Sequence, residues 1–197
     1  MESSEASRPH LVIMVGIPSS GKSFFAEHFA DTFKAPIVSF DRLRKTIFDN
    51  PSFSDDEDKI LNKISDYVLN EVLKTKRTVI YEGPTNLRND RAVIAKKARD
   101  TGYEPLFIWV QTEASAAMKR ATRPSVEKPA LSVDGFHAKL NRFSAPHKTE
   151  KAIVISGLHT YASQLKIVLK HLIQPRANTN ERSTMNRPLK NRNFLIR

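Results

Sequence analysis

The stretch MVGIPSSGKSFF, residues 14–25, fits the pattern G-x-x-x-x-G-K-[ST] with Gly16, Gly21, Lys22 and Ser23. The apolar run HLVIMV, residues 10–15, leads into it, and Phe25, Phe29 and Phe33 follow at a spacing of four. A buried strand that opens through a glycine-rich turn into a helix aims backbone N–H groups and the helix's positive end at one point. Such a point is an anion site. Glycine is needed where a Cβ would block the turn or the approaching phosphate. The loop reads as a nucleotide phosphate cradle made by Gly16, Ile17, Pro18, Ser19, Ser20, Gly21, Lys22, Ser23 and Phe24. Lys22 is expected to reach the β- and γ-phosphates of ATP, and Ser23 to give an oxygen to Mg2+. The destination of the phosphate stays open at this point: water, a small molecule or a nucleic acid.

Working outward from the loop, short apolar runs alternate with helical patterns. APIVSF (35–40), RTVIYEG (77–83), EPLFIWVQ (104–111) and KAIVISG (151–157) read as four further strands. Helices are expected at 41–48, at 88–101 up to Gly102, at 114–121 and at 162–173. A long one starts after Asn50-Pro51, where Ser54 and Glu57 have the spacing of a capping box. This alternation predicts right-handed βαβ crossovers and a five-stranded parallel sheet with helices on both faces. Residues 122–149 fit no strand and are expected to form an inserted lid over the site. The organisation expected is a flexible leader (1–9), one domain (10–174) and a tail (175–197). The tail is rich in Asn, Pro and Arg and reads as disordered.

The 197 residues carry no cysteine, which excludes disulfides and thiolate metal sites, and no run is apolar and long enough for a membrane span. A cytoplasmic protein is the expectation. Net charge is +11, and the tail holds six Lys or Arg against Glu181 alone. A basic surface favours polyanions through counterion release, so a nucleic-acid partner is open, as is a purely solubilising role.

Three further groups carry chemistry. Asp41 follows the second strand, and neighbouring strand ends meet at the ligand crevice of an open parallel sheet. There it can orient an acceptor hydroxyl and take its proton; as a helix N-cap it would serve structure alone. Arg44, three residues on, can fix an anionic group of the acceptor or be ordinary surface charge. Lys119, Arg120 and Arg123 stand where a lid begins and can neutralise charge on a transferred phosphoryl group; a solvated basic helix end is the alternative. Glu82, at the end of the third strand, can hold Mg2+ through water or cap the next turn.

GIPSSGKS followed by SFDRLRK resembles the P-loop kinases of the polynucleotide kinase type, and the chain also resembles zeta-toxin-like and other kinases of that superfamily. YEGPTNLRNDR is similar to their Asp-x-Thr-Asn element through Thr85 and Asn86, with the acid displaced to Glu82. RFSAPHKTE is similar to their Phe-x-x-Pro-x-x-x-Glu segment through Phe143, Pro146 and Glu150. The resemblance spans roughly residues 11–174 and implies a three-layer P-loop NTPase kinase fold with a helical lid. It also implies ATP and Mg2+, Asp41 as base, Arg44, Thr85 and Asn86 on the substrate, and Arg120 or Arg123 over the phosphates. The activity implied is ATP-dependent phosphoryl transfer to a hydroxyl, a polynucleotide 5′-hydroxyl first. A small-molecule or nucleotide kinase and a nucleotide-dependent switch or adaptor are the alternatives.

Overall fold

The computed structural model describes residues 8–124 and 130–173. The leader to residue 7, residues 125–129 near the start of the expected lid, and residues 174–197, which include the whole expected tail, lie outside the described residues. Strands β1 (His10–Val15), β2 (Ile37–Ser39), β3 (Val79–Glu82), β4 (Glu104–Gln111) and β5 (Ile153–Ser156) form one sheet in the order β2-β3-β1-β4-β5. Every pairing is parallel. The glycine loop therefore leaves the middle of the sheet, with β3 on one side and β4 on the other.

Side chains alternate across a strand, and β1 buries both sets. Leu11, Ile13 and Val15 point to the face covered by α3 (Asp55–Leu73) and α4 (Arg88–Asp100), where Leu69, Leu73, Ala95 and Ala98 meet them. Val12 and Met14 point to the face covered by α1 (Lys22–Phe33) and α7 (Tyr161–Ile173), against Phe25, Phe29 and Val168. Phe33, the third residue of the expected phenylalanine stripe, is exposed instead, because α1 ends there with Lys34 in the left-handed region. Ile60 is likewise exposed on α3, outside the buried line of Leu61, Ser65, Leu69 and Leu73.

Between β4 and β5 lie α5 (Ala114–Ala121), α6 (Val133–Asn141) and a 3-10 turn at Lys148–Glu150. Helix α6 lies within the segment expected to form a helical lid, although the residue pattern alone gave it no bounds. Its cap is Ser132, whose hydroxyl accepts from the Gly135 N–H at 3.0 Å, and its one fully buried side chain is Phe136. Phe136 joins Ala117, Ala121 and Ile17 in a small third core, and Phe143 links this core to the α3/α4 face. Among the described residues no helix is long and apolar enough to cross a membrane.

Candidate active site

The loop between β1 and α1 turns as its glycines require. Gly16 (φ 152°) and Gly21 (φ 106°) lie in the left-handed region, and Ser19 joins them at φ 57°. A Cβ at Gly16 would stand 2.7 Å from both the Ser20 hydroxyl and the Val110 carbonyl. Beneath the loop, Thr112 donates its hydroxyl to the Ser20 carbonyl at 2.8 Å. Gly157, in the turn after β5, packs so tightly on that same carbonyl that no side chain fits there. The cradle is thus held from below by the ends of β4 and β5. Lys22 donates to the Gly16 and Ile17 carbonyls, both at 2.9 Å, which folds its ammonium over the loop.

The end of β2 and the start of α1 converge on Glu82, the last residue of β3. Its carboxylate accepts from the Ser23 hydroxyl at 2.5 Å and, through the other oxygen, from the Ser39 hydroxyl at 3.1 Å. Parallel pairing sets Ser39 directly beside Glu82, and the loop delivers Ser23 from β1. A hydroxyl and a carboxylate at the mouth of an anion cradle are hard oxygen donors, the set that suits Mg2+ with most of its waters retained. The residues present therefore fit a magnesium nucleotide: the loop amides and Lys22 for phosphates, Ser23 and Glu82 for the ion.

Helix α2 (Phe40–Ile47) starts one residue earlier than expected. Its cap is Ser39, whose hydroxyl accepts from the Arg42 N–H at 3.4 Å, so Asp41 lies inside the first turn, exposed. The capping alternative for Asp41 is removed, because Ser39 fills that position. Arg44 is not surface charge either. It is 6% exposed, donates to Glu57 at 2.6 Å and to Asp58, and lies over the Phe53 ring at 4.9 Å. Glu57 departs from the expected capping box as well. Ser54 accepts from the Glu57 N–H at 3.3 Å, but the Glu57 side chain passes Ser54. It takes the Ser52 N–H (2.5 Å), the Ser52 hydroxyl (2.7 Å) and the Phe53 N–H (2.9 Å). Burial works to raise its pKa, but the bonds from Ser52, Phe53 and Arg44 outweigh that and hold the carboxyl at about 2.

Thr85 is buried and donates to the Met14 carbonyl at 2.7 Å, tying the β3–α4 loop to β1. Asn86 is exposed, and its carbonyl accepts from the Ser144 N–H at 2.9 Å. Arg120 donates to the Gly157 carbonyl at 3.2 Å, beside the cradle, whereas Arg123 is exposed beyond the end of α5. Sequence reasoning missed Arg91. It is fully buried on α4 and donates to the Thr85 and Ser144 carbonyls, both at 2.9 Å, and to Glu150 at 2.7 and 3.1 Å. Its spacing with Ala95 and Ala98, which places it on the apolar face of α4, was the available signal.

The same fold is found in a gluconokinase from Sinorhizobium meliloti, with a TM-score of 0.60, 15% identity, and coverage of 85% of this chain and 93% of that one. It is found in Kti12 from Chaetomium thermophilum, solved in complex with ADP-AlF3, at a TM-score of 0.59 and 16% identity, covering 82% and 97% of the two chains. A chain of the Pnkp1/Rnl/Hen1 RNA repair complex aligns at a TM-score of 0.60 and 21% identity over 77% of this chain; this chain spans 48% of that one. No curated protein matches the sequence. The fold is that of the P-loop kinases. The family model described as "AAA domain" matches residues 11–142, from β1 through α6, and the chain belongs to that family.

Proposed function

We propose that the protein is a nucleoside-triphosphate-dependent kinase that phosphorylates a hydroxyl, with the 5′-hydroxyl of a polynucleotide as its acceptor. The observation that carries this reading is the convergence of Ser23 and Ser39 on the Glu82 carboxylate, with Asp41 on the helix that Ser39 starts. It supports an ion site and an acceptor base that share one anchor. A bound magnesium ion would supply charge neutralisation at the phosphates. Lys22 is placed to exchange the Gly16 and Ile17 carbonyls for phosphate oxygens, and Ser23 and Glu82 are the residues that would hold the ion. Asp41 accepts the proton as the hydroxyl oxygen bonds to the γ-phosphorus and the bond to the diphosphate breaks. A carboxylate serves here because the transition state is loose and positioning outweighs basicity. Arg120 and Arg123 meet the charge spread over the transferred group. Thr85 and Asn86 shape the acceptor side through the loop they hold, and Arg44 fixes its outer wall.

A small-molecule hydroxyl is the second reading. The observation favouring it is Arg44 itself, whose charge is matched by Glu57 and Asp58 and must be released before it can clamp an acceptor phosphate. Incubation with γ-labelled ATP and a panel of 5′-hydroxyl DNA, RNA, tRNA and small hydroxyl compounds tests both. Label on a strand but not on sugars or nucleosides is expected; label on small compounds alone selects the second reading, and release of phosphate with no labelled acceptor overturns both.

A further inference from the structure

Charge on the described surface is sorted around the acceptor side. Beyond α2, the first turn of α3 holds four carboxylates in a row, Asp55, Asp56, Glu57 and Asp58. Only the last two are matched by Arg44, and Asp56 pairs with exposed Lys59. This wall repels a polyanion.

The opposite wall is the junction between the β3–α4 loop and the segment after α6. Ser144 donates its N–H to the Asn86 carbonyl at 2.9 Å, and Arg91 binds both segments and Glu150. Three exposed cations flank this junction: Arg88, two residues past Asn86; Arg142, two before Ser144; and Lys148, at the 3-10 turn. Arg88 reaches the Thr149 hydroxyl at 3.5 Å, which sets it beside Lys148. Among the described residues none of the three enters an ion pair, and Glu150, the carboxylate at the junction, is already matched by Arg91. Thr85 links the junction to Met14, two residues before the glycine loop. The sheet order places the β3–α4 loop between Asp41 and that cradle.

We propose that Arg88, Arg142 and Lys148 form a binding surface for the phosphodiester backbone of a single-stranded acceptor, engaging the nucleotides that follow its reactive 5′ end. The inference rests on the polynucleotide reading above and names the surface that reading needs, since Arg44 is occupied. Three exposed cations outside any ion pair attract an oncoming line of phosphates, which binds while releasing counterions. The acidic turn of α3 sets the direction, turning the strand toward the junction.

The experiment uses the full chain and fluorescent 5′-hydroxyl single strands of about twelve nucleotides, DNA and RNA, titrated across salt. Replacing Arg88, Arg142 and Lys148 together with alanine is expected to weaken binding by tenfold or more at low salt. The slope of log K against log salt should fall in magnitude by about 2, three contacts at about 0.7 each. Transfer to a nucleoside 3′-monophosphate should stay unchanged, and Arg88→Lys with Arg142→Lys should keep the original slope, because charge is conserved. An unchanged slope in the alanine variant, with strands still phosphorylated, overturns this surface and leaves the kinase reading standing. A full chain that phosphorylates small hydroxyls and neither binds nor modifies any strand overturns this surface together with the polynucleotide reading.

Discussion

Arg91 and Glu150 meet through two hydrogen bonds, Nε to Oε1 at 2.7 Å and Nη2 to Oε2 at 3.1 Å, across 59 residues of chain. The pair closes the base of the α5–α6 insertion onto the β3–α4 loop. Hydrogen bonds from Arg91 and the His147 N–H outweigh burial and lower the Glu150 pKa. Removing one partner strands the other charge, so Arg91→Ala is expected to cost about 3–5 kcal/mol in urea unfolding. Arg91→Lys should recover little of it, since an ammonium cannot form the fork. A loss below about 1 kcal/mol would mean that the junction holds without the pair.

Lys22→Ala should lower phosphoryl transfer by at least the ~10²–10³ that one transition-state donor supplies, and leave the urea midpoint unchanged. The bonds from Lys22 to the Gly16 and Ile17 carbonyls lie within the loop itself, so the packing of sheet and helices is spared. Retention of transfer within tenfold would contradict the phosphate role.

Asp41 and Ser39 are separable. Asp41→Asn should reduce kcat by about 10²–10⁴ with nucleotide affinity and unfolding nearly unchanged, because the helix cap is Ser39. Ser39→Ala should instead cost about 1 kcal/mol of stability through the lost cap. Normal turnover in Asp41→Asn would remove it from the chemistry.

Glu57 gives the fold an acid-sensitive latch. Its carboxyl titrates at about 2 in the folded chain against 4.5 ordinarily. The stabilisation is present in full above pH 4.5 and is lost as pH falls toward 2. Glu57→Gln should be less stable at neutral pH and show a flatter loss of stability over that window in denaturant titrations. A parallel acid limb would place the sensitivity elsewhere.

The sheet and its loop were legible because both rest on local pattern: β1, the glycine turn and α1 are adjacent in the chain. Even the alternation of Leu11, Ile13 and Val15 against Val12 and Met14 is set by strand geometry alone. What escaped depends on parts that meet only after folding. Ser39 took the cap from Asp41 because β2 ends a residue early, and its register beside Glu82 belongs to strand pairing. Arg44 read as an acceptor clamp or as surface charge, and not as a buried ion pair, because its partners Glu57 and Asp58 come from the next helix. A helical lid followed from the family resemblance, but the bounds of α6 were hidden by its nine residues and by Gly135, which weaken a helical signal.

Ile17 belongs to two structures at once. It lies within the glycine loop, yet its side chain is 8% exposed and packs with Ala117, Ala121 and Phe136. The glycine loop and the helix that carries Arg120 therefore share a fulcrum. A displacement at either end is felt at the other through one branched side chain, and shortening it in Ile17→Ala would put slack in the lever.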